Sequence, residues 1–150
     1  MGSDALLDHP LLTERYFFPR PAAVHDPWIV ETGGVRLQGY RGASRGGPAL
    51  LHFHGNGEVA LDWAGGFAAR LEAEGIDVFL GEYRGYGGST GRPALASMLD
   101  DALALADATG VPPSRLVVYG RSVGSIYALH VAAHRAVAGL VLESGIADVL

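Results

Sequence analysis

The amino-acid sequence predicts an α/β protein with a mostly parallel β-sheet and helices on both faces of the sheet. From residue 49 onwards, strand-like apolar runs alternate with runs of helical period, which is the pattern of parallel strands joined by helices. The strand-like runs are apolar on both faces, as expected where helices cover both sides of a sheet. A glycine turn at 32–34 separates two earlier strand-like segments, so an N-terminal antiparallel hairpin is also predicted.

The elements are assigned in chain order from the spacing of the apolar residues. Strands are predicted at 15–18, 25–30, 35–40, 49–54, 76–83, 115–119 and 136–142. Helices are predicted at 58–75, 94–109 and 126–134, with Gly75 and Gly110 as the stops of the first two. Residues 1–14 show no clear period and are expected to wrap over the surface. The length predicts one domain or part of one.

Composition excludes several classes of function. The 150 residues carry a net charge of −5 without a basic run, so no nucleic-acid partner is expected. All 11 basic residues are arginine, which excludes a P-loop lysine and a Schiff-base lysine. There is no cysteine, so disulfides, thiol catalysis and cysteine-ligated metal sites are excluded.

The sequence carries no signal for export or for a membrane. The N-terminus lacks a basic segment followed by an apolar one, so no signal peptide is predicted. No apolar run approaches the ~18 residues of a membrane-spanning helix. We therefore expect a cytoplasmic protein without an integral membrane segment.

The motif Gly-Arg-Ser-Val-Gly at 120–124 carries the first functional hypothesis. It lies between a predicted strand and a predicted helix, which is the context of a nucleophile elbow. Such a sharp turn strains the serine backbone, and it needs glycines on both sides because a Cβ there would strike its neighbours. The turn also places the Ser122 hydroxyl at a helix N-terminus, which favours negative charge. Ser122 is therefore the candidate nucleophile, and the alternative is a tight turn whose serine caps the helix.

A second loop, His-Gly-Asn-Gly-Glu at 54–58, also follows a predicted strand. Because the chemistry of a parallel sheet collects at the carboxyl ends of its strands, we expect this loop beside the elbow. A serine that attacks a carbonyl generates an oxyanion, which two backbone N–H groups must stabilise. The amides of Asn56 and Val123 are the candidates for this oxyanion hole. His54 is expected to stabilise the turn rather than act as a base, and His52, on the opposite face of the same strand, to be packed or partly solvated.

A third loop, at 83–91, reads Tyr-Arg-Gly-Tyr-Gly-Gly-Ser-Thr-Gly. It also follows a predicted strand, so it is expected at the same edge of the sheet. Two interpretations stay open: the loop forms a wall of a substrate pocket, or it is a surface loop braced by its tyrosines.

Together the three loops resemble the α/β-hydrolase superfamily in sequence, order and spacing. The motifs are His-Gly-Asn-Gly at 54–57, Tyr-Arg-Gly-Tyr-Gly-Gly-Ser at 83–89 and Gly-Arg-Ser-Val-Gly at 120–124. Arg-Gly-Tyr-Gly at 84–87 and Phe-Phe-Pro at 17–19 resemble its small intracellular serine hydrolases. The resemblance implies an α/β-hydrolase fold, of which this chain matches the first six of eight strands. Residues 1–150 are thus expected to be the N-terminal portion of a single α/β-hydrolase domain.

The resemblance also implies a catalytic acid after the seventh strand and a histidine after the eighth, both outside this chain. After the nucleophile the chain holds only His130 and His134. They fall on the helix behind the serine, where neither can reach it. Glu143 and Asp148 follow the sixth strand, and Asp148 is kept as a weaker candidate for the acid. The strand at 136–142 would be an uncovered edge, so we expect either that further polypeptide covers it or that a second copy of the chain pairs with it.

The resulting hypothesis is a serine hydrolase that cleaves carboxylic esters or thioesters through an acyl-enzyme on Ser122. Its substrate is a small ester or acyl molecule, and neither a metal nor an organic cofactor is needed. One alternative is a catalytically incomplete binding module of the same fold, since residues 1–150 lack the acid and the histidine. Another is a dinucleotide-binding domain, because Gly-x-Gly-x-x-Ala at 55–60 follows a strand and Glu82 ends the next strand.

Overall fold

The computed structural model describes residues 3–146 and has the predicted α/β architecture, with strands and helices alternating along the chain. The strands are β1 Trp28–Thr32, β2 Val35–Arg41, β3 Ala49–Phe53, β4 Asp77–Gly81, β5 Leu116–Arg121 and β6 Gly139–Glu143. The α-helices are α1 Ser3–Leu7, α2 Pro10–Tyr16, α3 Leu61–Ala64, α4 Gly66–Ala73, α5 Ser97–Ala108 and α6 Gly124–His134. A 3-10 turn at Pro113–Arg115 leads into β5.

The strands form one six-stranded sheet in the order β1-β2-β4-β3-β5-β6. The pairs β1–β2 and β2–β4 are antiparallel, and the pairs from β4 through β3 and β5 to β6 are parallel. The chain order reverses at β3, which has β4 on one side and β5 on the other. Such a switch point brings the loops after neighbouring strands around one crevice. The loops that follow β3 and β5 therefore lie side by side.

Helices cover both faces of the sheet. The larger apolar core lies between the sheet, α5 and α6, and it includes Leu51, Phe53, Val118, Leu105 and Tyr127. The smaller core lies between the sheet and α4, and it includes Ala68, Val78 and Leu80. Because side chains alternate along a strand, β4 serves both cores: Phe79 faces the larger one, and Val78 and Leu80 face the smaller one.

The predicted N-terminal hairpin is confirmed, although its first strand begins at Trp28 rather than at residue 25. Thr32 pairs with Val35, so the turn is the two residues Gly33 and Gly34. Their φ angles are 52° and 75°. A two-residue turn with both φ values positive matches the twist of the strands, and glycine adopts it without steric cost.

The strand predicted at 15–18 is wrong, because this segment ends the helix α2. Pro10 occupies the first turn of α2, and the His9 ring accepts the N–H of Leu11. Phe17 and Phe18 then continue in an irregular segment. Aromatic residues favour strands only where a partner strand is at hand.

The N-terminal segment is fastened to the helix α5. The carboxylate of Asp8 accepts the N–H of Ala96 at 2.7 Å and that of Ser97 at 3.1 Å. These are N–H groups at the start of α5 that lack partners within the helix, so Asp8 caps α5 from a distance. The Thr13 hydroxyl donates to the Pro93 carbonyl at 2.6 Å, which adds a second attachment.

The single helix predicted at 58–75 is instead two shorter helices. The first begins at Leu61, and the break lies at Gly65, which has φ −77° and ψ −89°. Gly75, with φ 81°, ends the second helix as predicted. None of the helices between residues 3 and 146 is long enough and apolar enough to cross a membrane.

Strand β6 forms an edge of the sheet among the described residues. The side chains of Val141 and Leu142 are 42% and 46% exposed, whereas Val137 and Leu140 pack against the larger core. An apolar strand edge can pair with another chain. Cover of β6 by further polypeptide and pairing of β6 with a second copy both stay predictions.

Candidate active site

The nucleophile elbow has the strained backbone that the sequence predicts. Strand β5 ends at Arg121 and α6 begins at Gly124, so Ser122 and Val123 alone make the turn. Ser122 has a φ of 52°, in the left-handed region that costs a non-glycine residue about 1–2 kcal/mol. Its N–H donates to the carbonyl of Glu143 at 2.9 Å, which ties the elbow to the end of β6. Strain of this kind is typical of functional sites.

Close packing explains the two glycines of the elbow. A Cβ on Gly120 would lie 2.7 Å from the Cβ of Ala128 in α6. A Cβ on Gly124 would lie 2.7 Å from the carbonyl oxygen of His54. Both distances are far shorter than real Cβ contacts. The elbow therefore packs directly against the end of β3 and the loop that follows it.

The backbone N–H groups of Asn56 and Val123 donate to no atom within residues 3–146. Val123 precedes α6, where the helix dipole adds partial positive charge. The first turn of α6 is held by Ser125, whose hydroxyl donates to the Ser122 carbonyl at 2.6 Å and accepts the N–H of Ile146 at 3.0 Å. The use of both amides as an oxyanion hole stays a prediction, as does their convergence on one point near the Ser122 hydroxyl.

The carboxylate of Glu58 shapes the loop at 54–58. Its Oε2 accepts the N–H of Gly55 at 2.7 Å and the indole N–H of Trp63 at 3.2 Å. Its Oε1 forms an ion pair with Arg121 of the elbow. One carboxylate thus joins the loop to the elbow, a role that was not predicted. The Gly-x-x-Glu spacing, which lets a carboxylate reach back to a backbone N–H, is the sequence signal that indicates it.

His54 stabilises the same loop, as predicted, through a buried pair with Glu82. Its Nε2 lies 2.6 Å from Glu82 Oε1, and its Nδ1 lies 2.8 Å from the Gly55 carbonyl oxygen. The other Glu82 oxygen accepts the N–H of Ala60 at 2.9 Å. Both side chains are inaccessible, so His54 cannot act as a base towards a substrate. Glu82 is equally closed to a ribose, which argues against a dinucleotide-binding domain.

The side chain of Asn56 ties the loop to the N-terminal segment. Its Oδ1 accepts the N–H of Phe18 at 3.0 Å and the hydroxyl of Tyr86 at 2.7 Å. Its Nδ2 donates to the carbonyl of Tyr16. The loop is therefore held from two directions, by the N-terminal segment through Asn56 and by the elbow through Glu58.

The loop at 83–91 is braced by its tyrosines. Tyr83 and Tyr86 are 3% and 0% exposed, and the Tyr83 hydroxyl donates to the His54 carbonyl at 2.6 Å. Burial raises the pKa of Tyr86 to about 12, so its hydroxyl is a neutral donor to Asn56. These bonds support the loop at 54–58.

His52 is packed inside the protein, the first of the two alternatives that the sequence left open. Neither nitrogen of its ring has a hydrogen-bond partner among the described residues. The ring is enclosed by Trp63, Phe67 and Tyr119, with centroid distances of 4.5, 5.2 and 5.2 Å. Burial lowers the pKa of His52 to about 3, so the ring is neutral at pH 7. A buried polar group without a partner costs about 1–3 kcal/mol.

We expect His52→Leu to make the protein less sensitive to acid. The pKa of His52 is about 6.5 in an unfolded chain and about 3 in the folded protein. Between these values the unfolded state binds more protons, so the free energy of unfolding falls as the pH is lowered, by up to about 1.4 kcal/mol per pH unit. Urea unfolding near neutral pH and at about pH 5 measures this loss, which should be smaller in the variant. Burial also lowers the pKa of His130, but both proteins retain His130, so the difference between their losses of stability reports on His52 alone. Equal losses in the two proteins would show that His52 does not have a lowered pKa in the folded state.

The other candidate residues lie away from the nucleophile or are bonded to other side chains. His130 and His134 lie on the last turns of α6, with ring centroids 4.1 Å apart. They are roughly 12 and 18 Å along the helix from Ser122, at 1.5 Å per residue, so neither reaches it. Glu143 ends β6 and is bonded to side chains of β5. Asp148 lies outside the described residues.

Comparison with known proteins decides the family. A family model described as serine aminopeptidase, S33, matches residues 47–149, which is more than half of the chain. The chain belongs to the α/β-hydrolase superfamily.

This α/β-hydrolase chain is similar to curated proteins along part of their length. It is 35% identical to YfhR of Escherichia coli (strain K12) over 123 residues, which covers 71% of this chain and 43% of YfhR. It is 36% identical over 113 residues to WAV2 of Arabidopsis thaliana, an α/β-hydrolase domain-containing protein, covering 66% of this chain and 34% of WAV2. The chain thus spans less than half the length of these relatives.

Solved structures show the same α/β-hydrolase fold. Epoxide hydrolase A from Mycobacterium thermoresistibile is 28% identical, with a TM-score of 0.63 over 78% of this chain and 38% of that one. The thioesterase domain from the curacin biosynthetic pathway is 23% identical, with a TM-score of 0.68 over 85% of this chain and 49% of that one. The second likeness concerns the fold alone. A shared fold does not determine which bond is cleaved.

Proposed function

We propose that residues 1–150 are the nucleophile-bearing N-terminal portion of a single α/β-hydrolase domain, which cleaves carboxylic esters or thioesters through an acyl-enzyme on Ser122. One observation carries the proposal. Ser122 holds a φ of 52° at the start of α6, between glycines packed too closely to bear a Cβ. A serine that only capped a helix would have extended backbone and no need of such neighbours.

In the proposed reaction, the Ser122 hydroxyl oxygen attacks the carbonyl carbon while a histidine takes its proton. The resulting oxyanion accepts hydrogen bonds from the amides of Asn56 and Val123. The same histidine then protonates the leaving alcohol or thiol, and an acyl-enzyme remains. Water attacks the acyl group by the same steps and releases the carboxylic acid.

The proposed base is a histidine outside residues 1–150. The six histidines of this range cap a helix, are buried, or lie outside the three loops that follow β3, β4 and β5. His9 caps α2, His25 is exposed ahead of β1, His52 and His54 are buried, and His130 and His134 lie on the last turns of α6. A serine without a base is a weak nucleophile, so the complete protein supplies the histidine and its acid partner.

The alternative is a binding module of the same fold that performs no chemistry. Reaction of the full-length protein with a fluorophosphonate separates the two, because the reagent bonds only to an activated serine. Trypsin cuts after Arg121 and Arg135, so the adduct is expected on the peptide 122–135 and, by fragmentation, on Ser122. Ser125 in the same peptide is an internal control, since it is buried with its hydroxyl bonded on both sides. No adduct would favour the binding module, whereas an adduct only on another residue would show that Ser122 is not the nucleophile.

A further inference from the structure

The ion pair between Arg121 and Glu58 connects the two backbone segments that carry the proposed oxyanion amides. Arg121 lies two residues before Val123, and Glu58 lies two residues after Asn56. We propose that Arg121 and Glu58 are positioning residues that fix the separation of these two amides. The inference rests on the proposed function, because it concerns the same site.

The contacts of Glu58 fix the loop side of this link. One carboxylate oxygen accepts the N–H of Gly55 at 2.7 Å and the indole N–H of Trp63 at 3.2 Å. The other oxygen pairs with Arg121. Charge-assisted hydrogen bonds of this kind are stronger than neutral ones. Gly55, the residue that precedes Asn56, is therefore held through its N–H by the same carboxylate that pairs with Arg121 of the elbow.

The contacts of Arg121 fix the elbow side. Arg121 is the last residue of β5, and its Nε lies 3.4 Å from Oε1 of Glu143 on β6. Its guanidinium carbon lies 6.0 Å from the centroid of a Trp63 ring. A Cβ on Gly55 would lie 3.0 Å from a guanidinium nitrogen, so the guanidinium packs against the loop backbone itself. A shorter or uncharged side chain cannot reproduce these contacts.

Arg121 also balances the charge beside the site. Glu58 and Glu143 both face its guanidinium, and the Tyr119 hydroxyl donates to Glu143. Without Arg121, two carboxylates would stand unbalanced near the place where the oxyanion forms, and like charges repel. Loss of positioning and loss of charge balance both act on the transition state rather than on substrate binding.

Hydrolysis of p-nitrophenyl butyrate by the full-length protein tests the inference. We expect Arg121→Met to lower kcat about 10- to 100-fold, because small misplacements near the reacting atoms have effects of this size. KM should change by less than about threefold. Arg121→Lys should recover part of the loss, since its ammonium group can still pair with Glu58. The matched control is Arg135→Met, which removes an exposed pair with Asp107 (N–O 2.8 Å) and should leave kcat unchanged.

A double variant tests whether the two residues act as one unit. Combining Glu58→Gln with Arg121→Met should lower kcat no further than Arg121→Met alone, because the second change removes an interaction that is already lost. If the decreases in kcat of the two single variants multiply in the double variant, the two residues act independently and the proposed link is wrong.

Hydrogen–deuterium exchange gives a readout that needs no turnover. Exchange in a peptide that covers 54–60 should be faster in Arg121→Met than in the wild type, and unchanged in Arg135→Met. Unchanged exchange there, or an unchanged kcat, would overturn the inference. A wild-type protein without fluorophosphonate labelling would instead overturn the proposed function, while faster exchange in Arg121→Met would still support the link.

Discussion

Ser122→Ala is expected to lower ester turnover at least about 10,000-fold, because loss of the nucleophile of a serine hydrolase has effects of this size or larger. The fold should survive, since the side chain is only half-buried and alanine removes one oxygen. Turnover of p-nitrophenyl butyrate and thermal unfolding of the full-length protein measure the two effects. Turnover near the wild-type rate would remove Ser122 from the mechanism.

Ser122→Gly, compared with Ser122→Ala, tests for the backbone strain at position 122. It should be as inactive as the alanine variant but more stable, by up to about 1 kcal/mol. Glycine adopts the φ of 52° without the left-handed penalty of about 1–2 kcal/mol, although its greater freedom in the unfolded chain offsets part of this gain. Equal stability of the two variants would show that the elbow stores no strain.

Gly124→Ala is expected to destabilise the protein by about 3 kcal/mol, at the upper end of the effect of overpacking. Its Cβ would lie 2.7 Å from the His54 carbonyl oxygen, and this neighbour is backbone at the end of the central strand β3, which cannot move aside. A loss of this size is a large part of a typical domain stability of about 5–15 kcal/mol. Urea unfolding measures it, and ester turnover should fall as the loop is displaced from the elbow.

Gly66→Ala is the control for the Gly124 substitution. Gly66 begins α4, and a Cβ there meets nothing within 4 Å. Alanine is the better helix former by about 0.8–1.0 kcal/mol, so the variant should be as stable as the wild type or slightly more stable. Similar losses from both substitutions would contradict the packing argument.

The sequence predicts the central sheet well and the N-terminal region poorly. The strands predicted at 49–54 and 115–119 agree with β3 and β5 to within two residues at each end, because buried parallel strands are continuous apolar runs. The aromatic run at 15–18 has similar strand propensity but no strand to pair with. Its backbone bonds instead to the side chain of Asn56, 38 residues away at Phe18. Propensity cannot reveal such a partner.

In the candidate site, too, the local features could be predicted from the sequence and the long-range contacts could not. The strained Ser122 and the packed glycines follow from a motif whose residues are neighbours in the sequence. The pair of Glu58 and Arg121 spans 63 residues, and the enclosure of His52 depends on α3, α4 and β5. These contacts exist only once the sheet has formed. The sequence alone therefore does not indicate which residues are partners.

The attachment of the N-terminal segment bears on the choice of recombinant fragments. The family match begins at residue 47, but Asp8 caps α5, and Tyr16 and Phe18 hold Asn56. A fragment trimmed to the family match would lack the polypeptide that anchors α5 and the loop at 54–58, and it would also lack the hairpin. An affinity tag or protease site placed ahead of Asp8 leaves all of these bonds intact.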